Sequence, residues 1–333
     1  MYVARCTLRI ASPLSAGMSV VIALAVGAIP IHAQQQGTVR KAIERPHEGR
    51  QGREVEGLDD GAAELGRITL PPNVRVERDV SYGVDAKQRF DVYLPARASR
   101  APVMILVHGG GWRIGDKSSR ALVQNKVARW TRAGIIVISV NYRLLPAANP
   151  IMQAEDVARA IAVAQQRLPE WGGDPGRIVL VGHSAGAHLV ALIAGDQSFI
   201  THQGGQPSIV GSIILDSAVL DVEQTMLQPH LPLYDAAFGT SRRFWRFASP
   251  WRQLGAGASP LLIVCSTNRR DSCPAAQKLV RRATALSVTN QILELPLSHR
   301  EINEQLGTPG AYTDSVESFL RTLDYSFARA LRS

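Results

Sequence analysis

Gly182-His183-Ser184-Ala185-Gly186 follows the aliphatic run 178–181 and leads into Ala187-His188-Leu189-Val190, a stretch that suits a helix. This is a G-x-S-x-G pattern between a strand and a helix, the setting in which a serine hydroxyl is presented at the tip of a sharp turn. Small flanking residues are required there because strand and helix backbones crowd together at such a turn. Ser184 is therefore the candidate nucleophile.

A serine hydroxyl attacks poorly at its ordinary pKa, so it needs an imidazole to take its proton and a carboxylate to fix that imidazole's tautomer. On a strand-turn-helix scaffold of this kind the partners follow in the order serine, acid, histidine. The chain has 8 histidines, and only His299 lies beyond the last strand-like segments, so it is the expected base. Between Asp235 and Asp314 the sole aspartate is Asp271, just after the apolar run 260–265, and it is the expected acid. Glu294 is its rival, but a place inside the strand-like run 291–295 ties its direction to the pleat. Glu301 is a weaker rival still.

Acyl transfer also requires donors for the oxyanion, and main-chain N–H groups of a glycine-rich loop supply them without reorganisation. His108-Gly109-Gly110-Gly111-Trp112 follows the strand-like run 103–107. Gly109 and Gly110, together with Ala185 after the nucleophile, are the expected donors.

These motifs resemble the α/β-hydrolases, and within them the small carboxylesterases whose signature begins His-Gly-Gly-Gly-Trp. The resemblance covers roughly residues 80–325 and is strongest toward acetylxylan and feruloyl esterase-like proteins, with kynurenine formamidases related. It implies an α/β-hydrolase fold with a mainly parallel sheet, the triad Ser184, Asp271 and His299, and the oxyanion donors Gly109, Gly110 and Ala185. Neither a cofactor nor a metal is implied. A small-molecule ester is the expected substrate, with formamide or amide cleavage by the same residues as the alternative. A binding module that keeps the fold without the chemistry is the rival of another class.

The elements that must hold these residues are legible as alternation. Strand-like runs at 90–94, 103–107, 135–140, 178–182, 211–216, 260–265 and 291–295 alternate with helical patterns at 154–166, 273–286 and 313–330. That is the pattern of a sheet with helices on both faces and a site at the carboxyl ends of its strands. Segment 217–255 is expected to form a lid-like insertion rich in aromatic residues, with Trp112 and Trp245 lining the substrate pocket. His108, His183 and His188 are expected to pack or form structural hydrogen bonds rather than move protons.

Residues 1–33 read as a secretory signal: Arg5 and Arg9 precede an apolar stretch from Ala16 to Ile31, and a cleavage candidate follows Ala33, with retention as a membrane anchor the alternative. Residues 34–75 read as a flexible leader, and 76–333 as the hydrolase domain. Without the signal, 35 basic residues face 28 acidic ones, and no clustered stripe points to nucleic acid. A secreted or periplasmic protein without stable membrane insertion is expected, with the oligomeric state undetermined. Cys265 and Cys273 bracket the loop that carries Asp271, and in an oxidising compartment a disulfide between them is expected.

Overall fold

The computed structural model describes residue 66 and residues 68–332. The expected signal segment and most of the expected leader lie outside the described residues. The last part of that leader does not: Ile68, Leu70 and Val74 pack against the core, and Thr69 exchanges hydrogen bonds of 2.8 Å with the Gln124 side chain. Domain packing therefore starts ahead of residue 76.

Eight strands, β1 (Arg75–Ser81), β2 (Arg89–Leu94), β3 (Ala101–Val107), β4 (Ile136–Val140), β5 (Gly173–His183), β6 (Ile209–Leu215), β7 (Leu261–Ser266) and β8 (Asn290–Leu295), form one sheet in the order β1-β2-β4-β3-β5-β6-β7-β8. β1–β2 and β2–β4 pair antiparallel, and the rest pair parallel. β1 is the strand that the sequence patterning misses. Its residues are mostly exposed, because an edge strand needs little apolar content.

The inner strands β3, β4 and β7 are buried at every position, as strands covered on both faces must be. Side chains alternate between two cores. Val103, Ile105 and Val107 of β3 enter one, and Met104 and Leu106 the other. The helices among the described residues are α1 (Arg120–Trp130), α2 (Pro150–Arg167), α3 (Ala185–Gly195), α4 (Ser198–Thr201), α5 (Val222–Met226), α6 (Pro232–Phe238), α7 (Arg242–Phe247), α8 (Pro250–Gln253), α9 (Ser272–Ala285), α10 (His299–Glu304), α11 (Ala311–Leu323) and α12 (Tyr325–Ala330). Residues of α2, α3, α9 and of the β6–β7 insertion that carries α5–α8 fill the first core. Residues of α1, α10, α11 and α12 fill the second.

Helix boundaries follow local chemistry. Asn149 caps α2 by accepting the N–H groups of Ile151 and Met152, with Pro150 in the first turn. The single helical pattern expected over 313–330 is broken at Asp324, whose carboxylate takes the Ser326 N–H and starts α12.

The strand order reverses between β3 and its neighbours β4 and β5. The crevice at such a switch point, beyond the carboxyl ends of the strands, is where open α/β sheets place their sites. The His108 glycine loop follows β3 there and Ser184 follows β5.

Candidate active site

Ser184 is held at φ 56° and ψ −118°, a conformation that a residue with a side chain rarely adopts. Two flanking glycines make the turn possible. A Cβ on Gly182 would stand 2.3 Å from the Gly186 carbonyl oxygen, and one on Gly186 would stand 2.3 Å from that of Val107 and 2.4 Å from that of His108. Ser184 N–H donates to Leu215 O at 2.9 Å, which places the turn beside the end of β6.

The residue after Leu215 is Asp216, and the structure corrects the expected acid here. His299 Nδ1 lies 2.6 Å from Asp216 Oδ2. A carboxylate only accepts, so Nδ1 carries the proton and Nε2 keeps its lone pair. Asp216 is fully buried and Oδ1 accepts the Ser266 N–H at 2.8 Å and the Ser272 hydroxyl, while Arg269 Nη1 donates to Oδ2 at 2.8 Å. Burial pushes this carboxyl's pKa up, but the hydrogen bond and charge of His299, the Arg269 guanidinium and the Ser272 hydroxyl outweigh it and hold it well below the usual range.

Asp271 instead begins α9 with its side chain half exposed, 3.5 Å from Arg269 Nη2. The side chain that reaches His299 from this loop is Arg269, whose Nη1 lies 3.0 Å from Nδ1. Glu294 lies on β8 bonded to Gln277, and Glu301 is taken up by a capping box with Ser298. Asp216 also satisfies the order serine, acid, histidine. Its sequence signal is an acid that closes the apolar strand run Ile213-Ile214-Leu215, where a carboxylate is tolerated only with partners.

His299 is the first residue of α10, fixed by that capping box at one end. At the other end the buried Lys126 Nζ donates to Asn303 O at 2.5 Å and to its Oδ1 at 3.0 Å. Burial, opposed by the Glu304 charge, pulls the Lys126 ammonium down to about 7. His183 Nε2 donates to the His299 carbonyl at 2.9 Å, and the two rings stand 4.4 Å apart. His183, next to the serine, thus acts as a strut for the neighbouring histidine; burial and the His299 charge keep its pKa well below the ordinary value.

The glycine loop is fixed by its carbonyls. Tyr142 donates to His108 O at 2.8 Å, and His108 Nδ1 donates to Gly109 O at 2.8 Å. In a planar trans peptide the N–H opposes the C=O, so pinning these two carbonyls orients the N–H groups of Gly109 and Gly110. Gly110 adopts φ 99°, and a Cβ there would meet Ile114 O at 2.2 Å. Ala185, buried, starts α3, so its N–H is one of the groups that the helix leaves unpaired at its N-terminus.

Trp112 and Trp245, expected to line the pocket, are both buried. Trp112 packs edge-on against His188 and Phe238, and Trp245 Nε1 donates to Gly239 O at 2.9 Å. His188 Nε2 donates to Ala248 O at 2.8 Å and so ties α3 to the insertion. A cavity of about 990 Å³ lies between the insertion, with Leu231 and Tyr234, and the loop residues Arg269, Arg270 and Asp271, of which Arg269 also contacts Asp216 and His299. The aromatic side chains of the insertion thus divide between core and cavity wall. The expected cysteine partners stand with sulfurs 2.11 Å apart.

A family model described as BD-FAE matches residues 90–270, just over half of the chain and a span that includes Ser184, Asp216 and Arg269. The chain belongs to the BD-FAE family. This member is 40% identical over 118 residues to a probable isoprenylcysteine alpha-carbonyl methylesterase of Oryza sativa subsp. japonica, a match covering 35% of this chain and 27% of the plant protein. It is 38% identical over 120 residues to esterase LipQ of Mycobacterium tuberculosis, covering 35% and 28%, and 30% identical over 157 residues to the kynurenine formamidase of Danio rerio, covering 47% and 48%. The chain thus spans about half or less of the length of these relatives. Among solved structures, esterase B of Lactobacillus rhamnosis superposes with a TM-score of 0.65 at 21% identity, covering 81% of this chain and 91% of that one. With the sheet order, that likeness makes this an α/β-hydrolase fold. No helix among the described residues is long and apolar enough to cross a membrane.

Proposed function

We propose that this BD-FAE member is a serine hydrolase that cleaves small carboxylic esters through an acyl-enzyme intermediate. The observation that carries the reading is a serine held at positive φ at the end of β5, next to the strand end where a partly exposed His299 is hydrogen-bonded to the buried Asp216. With Nδ1 donating to Asp216, His299 Nε2 takes the Ser184 proton, and the alkoxide attacks the ester carbonyl. The N–H groups of Gly109, Gly110 and Ala185 hold the oxyanion. The imidazolium, stabilised by Asp216, then protonates the leaving alcohol; the same imidazole next activates water, which releases the acid and frees the serine.

Two further readings belong to this proposal. The signal-like pattern of residues 1–33 supports an oxidising compartment such as the periplasm or the exterior, where Cys265 and Cys273, bracketing one short loop, would pair as a disulfide. The match to a kynurenine formamidase supports formamide cleavage as the second reading, since the same residues serve both bonds.

The test is hydrolysis of p-nitrophenyl acetate together with fluorophosphonate labelling and mapping of the labelled peptide. Wild-type turnover, a label on Ser184, and loss of about 10⁶ in kcat in Ser184→Ala are expected. Unchanged turnover by Ser184→Ala refutes the assignment. Parallel assays with the acetyl ester and N-formylkynurenine separate ester from formamide cleavage.

A further inference from the structure

We infer that Arg269 is a positioning residue of the reaction that acts through Asp216, delivered by the loop 265–273; the inference rests on the hydrolase reading above. Apart from His299, every side-chain or main-chain group that hydrogen-bonds to the Asp216 carboxylate among the described residues comes from this one loop. Ser266 N–H and Ser272 Oγ–H hold Oδ1, and Arg269 Nη1–H holds Oδ2 at 2.8 Å. Arg269 Nη1 also reaches Asp216 O at 3.2 Å. The arginine side chain is only 14% exposed and the aspartate side chain is fully buried, so water has little access to substitute for these contacts.

The geometry at Oδ2 gives Arg269 two separable effects. His299 Nδ1 and Arg269 Nη1 are both donors, and they stand 3.0 Å apart because they share one acceptor. By fixing Oδ2, the arginine holds the acceptor where Nδ1–H must point, which fixes the direction of Nε2, the nitrogen that takes the Ser184 proton in the proposed reaction. By its charge, the guanidinium opposes the imidazolium that forms on proton transfer. The other charged or titratable groups around this pair are His183 on β5, Asp271 beside Arg269, Lys126 on α1, Tyr312 on α11 and Tyr234 on α6. Unlike Lys126, Arg269 touches both members of the pair.

Removing Arg269 therefore slows turnover through lost aim and moves the acidic limb of the rate profile upward through lost charge. A residue that merely filled space would do neither in this combination. The experiment measures kcat and KM of p-nitrophenyl acetate against pH for the full chain, for Arg269→Gln, Arg269→Lys, Asp216→Asn and the double variant. Arg269→Gln is expected to lower kcat about 10- to 100-fold with KM within about 3-fold, and to shift the acidic limb to higher pH. Arg269→Lys keeps the charge without the planar fork: the limb stays in place and kcat is intermediate. In the Asp216→Asn background the glutamine change costs less than about 3-fold, because its route to the reaction is already cut.

Wild-type kcat in Arg269→Gln, an effect confined to KM, or full additivity with Asp216→Asn overturns the inference. If Arg269→Gln does not fold, the lysine variant decides: kcat equal to wild type overturns the inference, and a reduced kcat with an unmoved limb supports it. A wild-type chain that does not hydrolyse the ester, or a Ser184→Ala variant that does, overturns the hydrolase reading instead.

Discussion

Asp216→Asn and Asp271→Asn separate the carboxylate that the fold places on His299 from the one that the linear chain points to. In the folded chain Asp216 Oδ2 accepts the Nδ1–H of His299 at 2.6 Å, whereas Asp271 stands half exposed beside Arg269. An asparagine at 216 presents an amide that can donate, which favours the imidazole tautomer with its proton on Nε2, where no proton can be taken from Ser184. It also removes the charge that stabilises the imidazolium. For the serine-protease triad that serves as the general template this exchange costs about 10⁴ in kcat, or about 5.5 kcal/mol of barrier, and a similar loss is expected here. Asp271→Asn is expected to change kcat less than about 3-fold, because an exposed ion pair is worth about 0–1 kcal/mol.

The assay is steady-state hydrolysis of p-nitrophenyl acetate at pH 8, with thermal melting alongside. Melting is needed because Asp216→Asn leaves the Arg269 guanidinium without its buried partner, a loss of about 3–5 kcal/mol in comparable cases. Folded Asp216→Asn enzyme with near wild-type kcat, or an Asp271→Asn variant that loses as much as is expected of Asp216→Asn, would refute the reasoning.

Three further outcomes follow from the same contacts. Gly186→Ala forces a Cβ within 2.4 Å of two carbonyl oxygens and is expected to cost about 3 kcal/mol or more, read as a lowered Tm or as insoluble protein; an unchanged Tm would mean that the turn is looser than described. Burial lowers the pKa of His108 and His188 to about 4 each, against the opposing hydrogen bonds that they donate to the Gly109 and Ala248 carbonyls. The unfolded chain takes up these protons near pH 6.5, so the stability is complete above that value and falls as pH drops toward 4, by about 2 kcal/mol per histidine at pH 5. A Tm that stays level from pH 7.5 to 5 would contradict this. Closing the short loop between Cys265 and Cys273 is expected to contribute about 2.5 kcal/mol by chain entropy, so reduction with a phosphine should lower both Tm and kcat, whereas free thiols titrated in the unreduced, denatured protein would exclude the bond.

Much of the scaffold was legible because parallel strands buried on both faces must be apolar throughout, and runs such as 103–107 and 178–182 announce themselves. β1 was not, since its exposed edge residues carry no such pattern. The nucleophile turn was legible because its conformation admits so few residue types: glycines at 182 and 186 are needed for steric reasons that act within a few residues. His299 was legible by its place in the chain order. These are local or ordinal constraints, and a linear string records them.

The acid was not legible. The chain order admits both Asp216 and Asp271, and the choice between them lies in where side chains from β6 and from the β7–α9 loop arrive relative to α10. The folded chain sends Arg269 toward His299 and turns Asp271 to the cavity, so the loop expected to supply the carboxylate supplies the cation that holds it. For Trp112 and Trp245 the chain leaves a related ambiguity: an aromatic residue in an apolar segment packs into the core or lines a pocket with the same composition, and the fold buries both against residues of α3, α6 and the turn that follows α6. What the sequence determined by itself is the chemistry the chain can attempt, because residue types and short-range sterics fix it. Which carboxylate serves that chemistry was decided by the tertiary structure, because hydrogen bonding depends on tenths of an ångström between segments far apart in the chain.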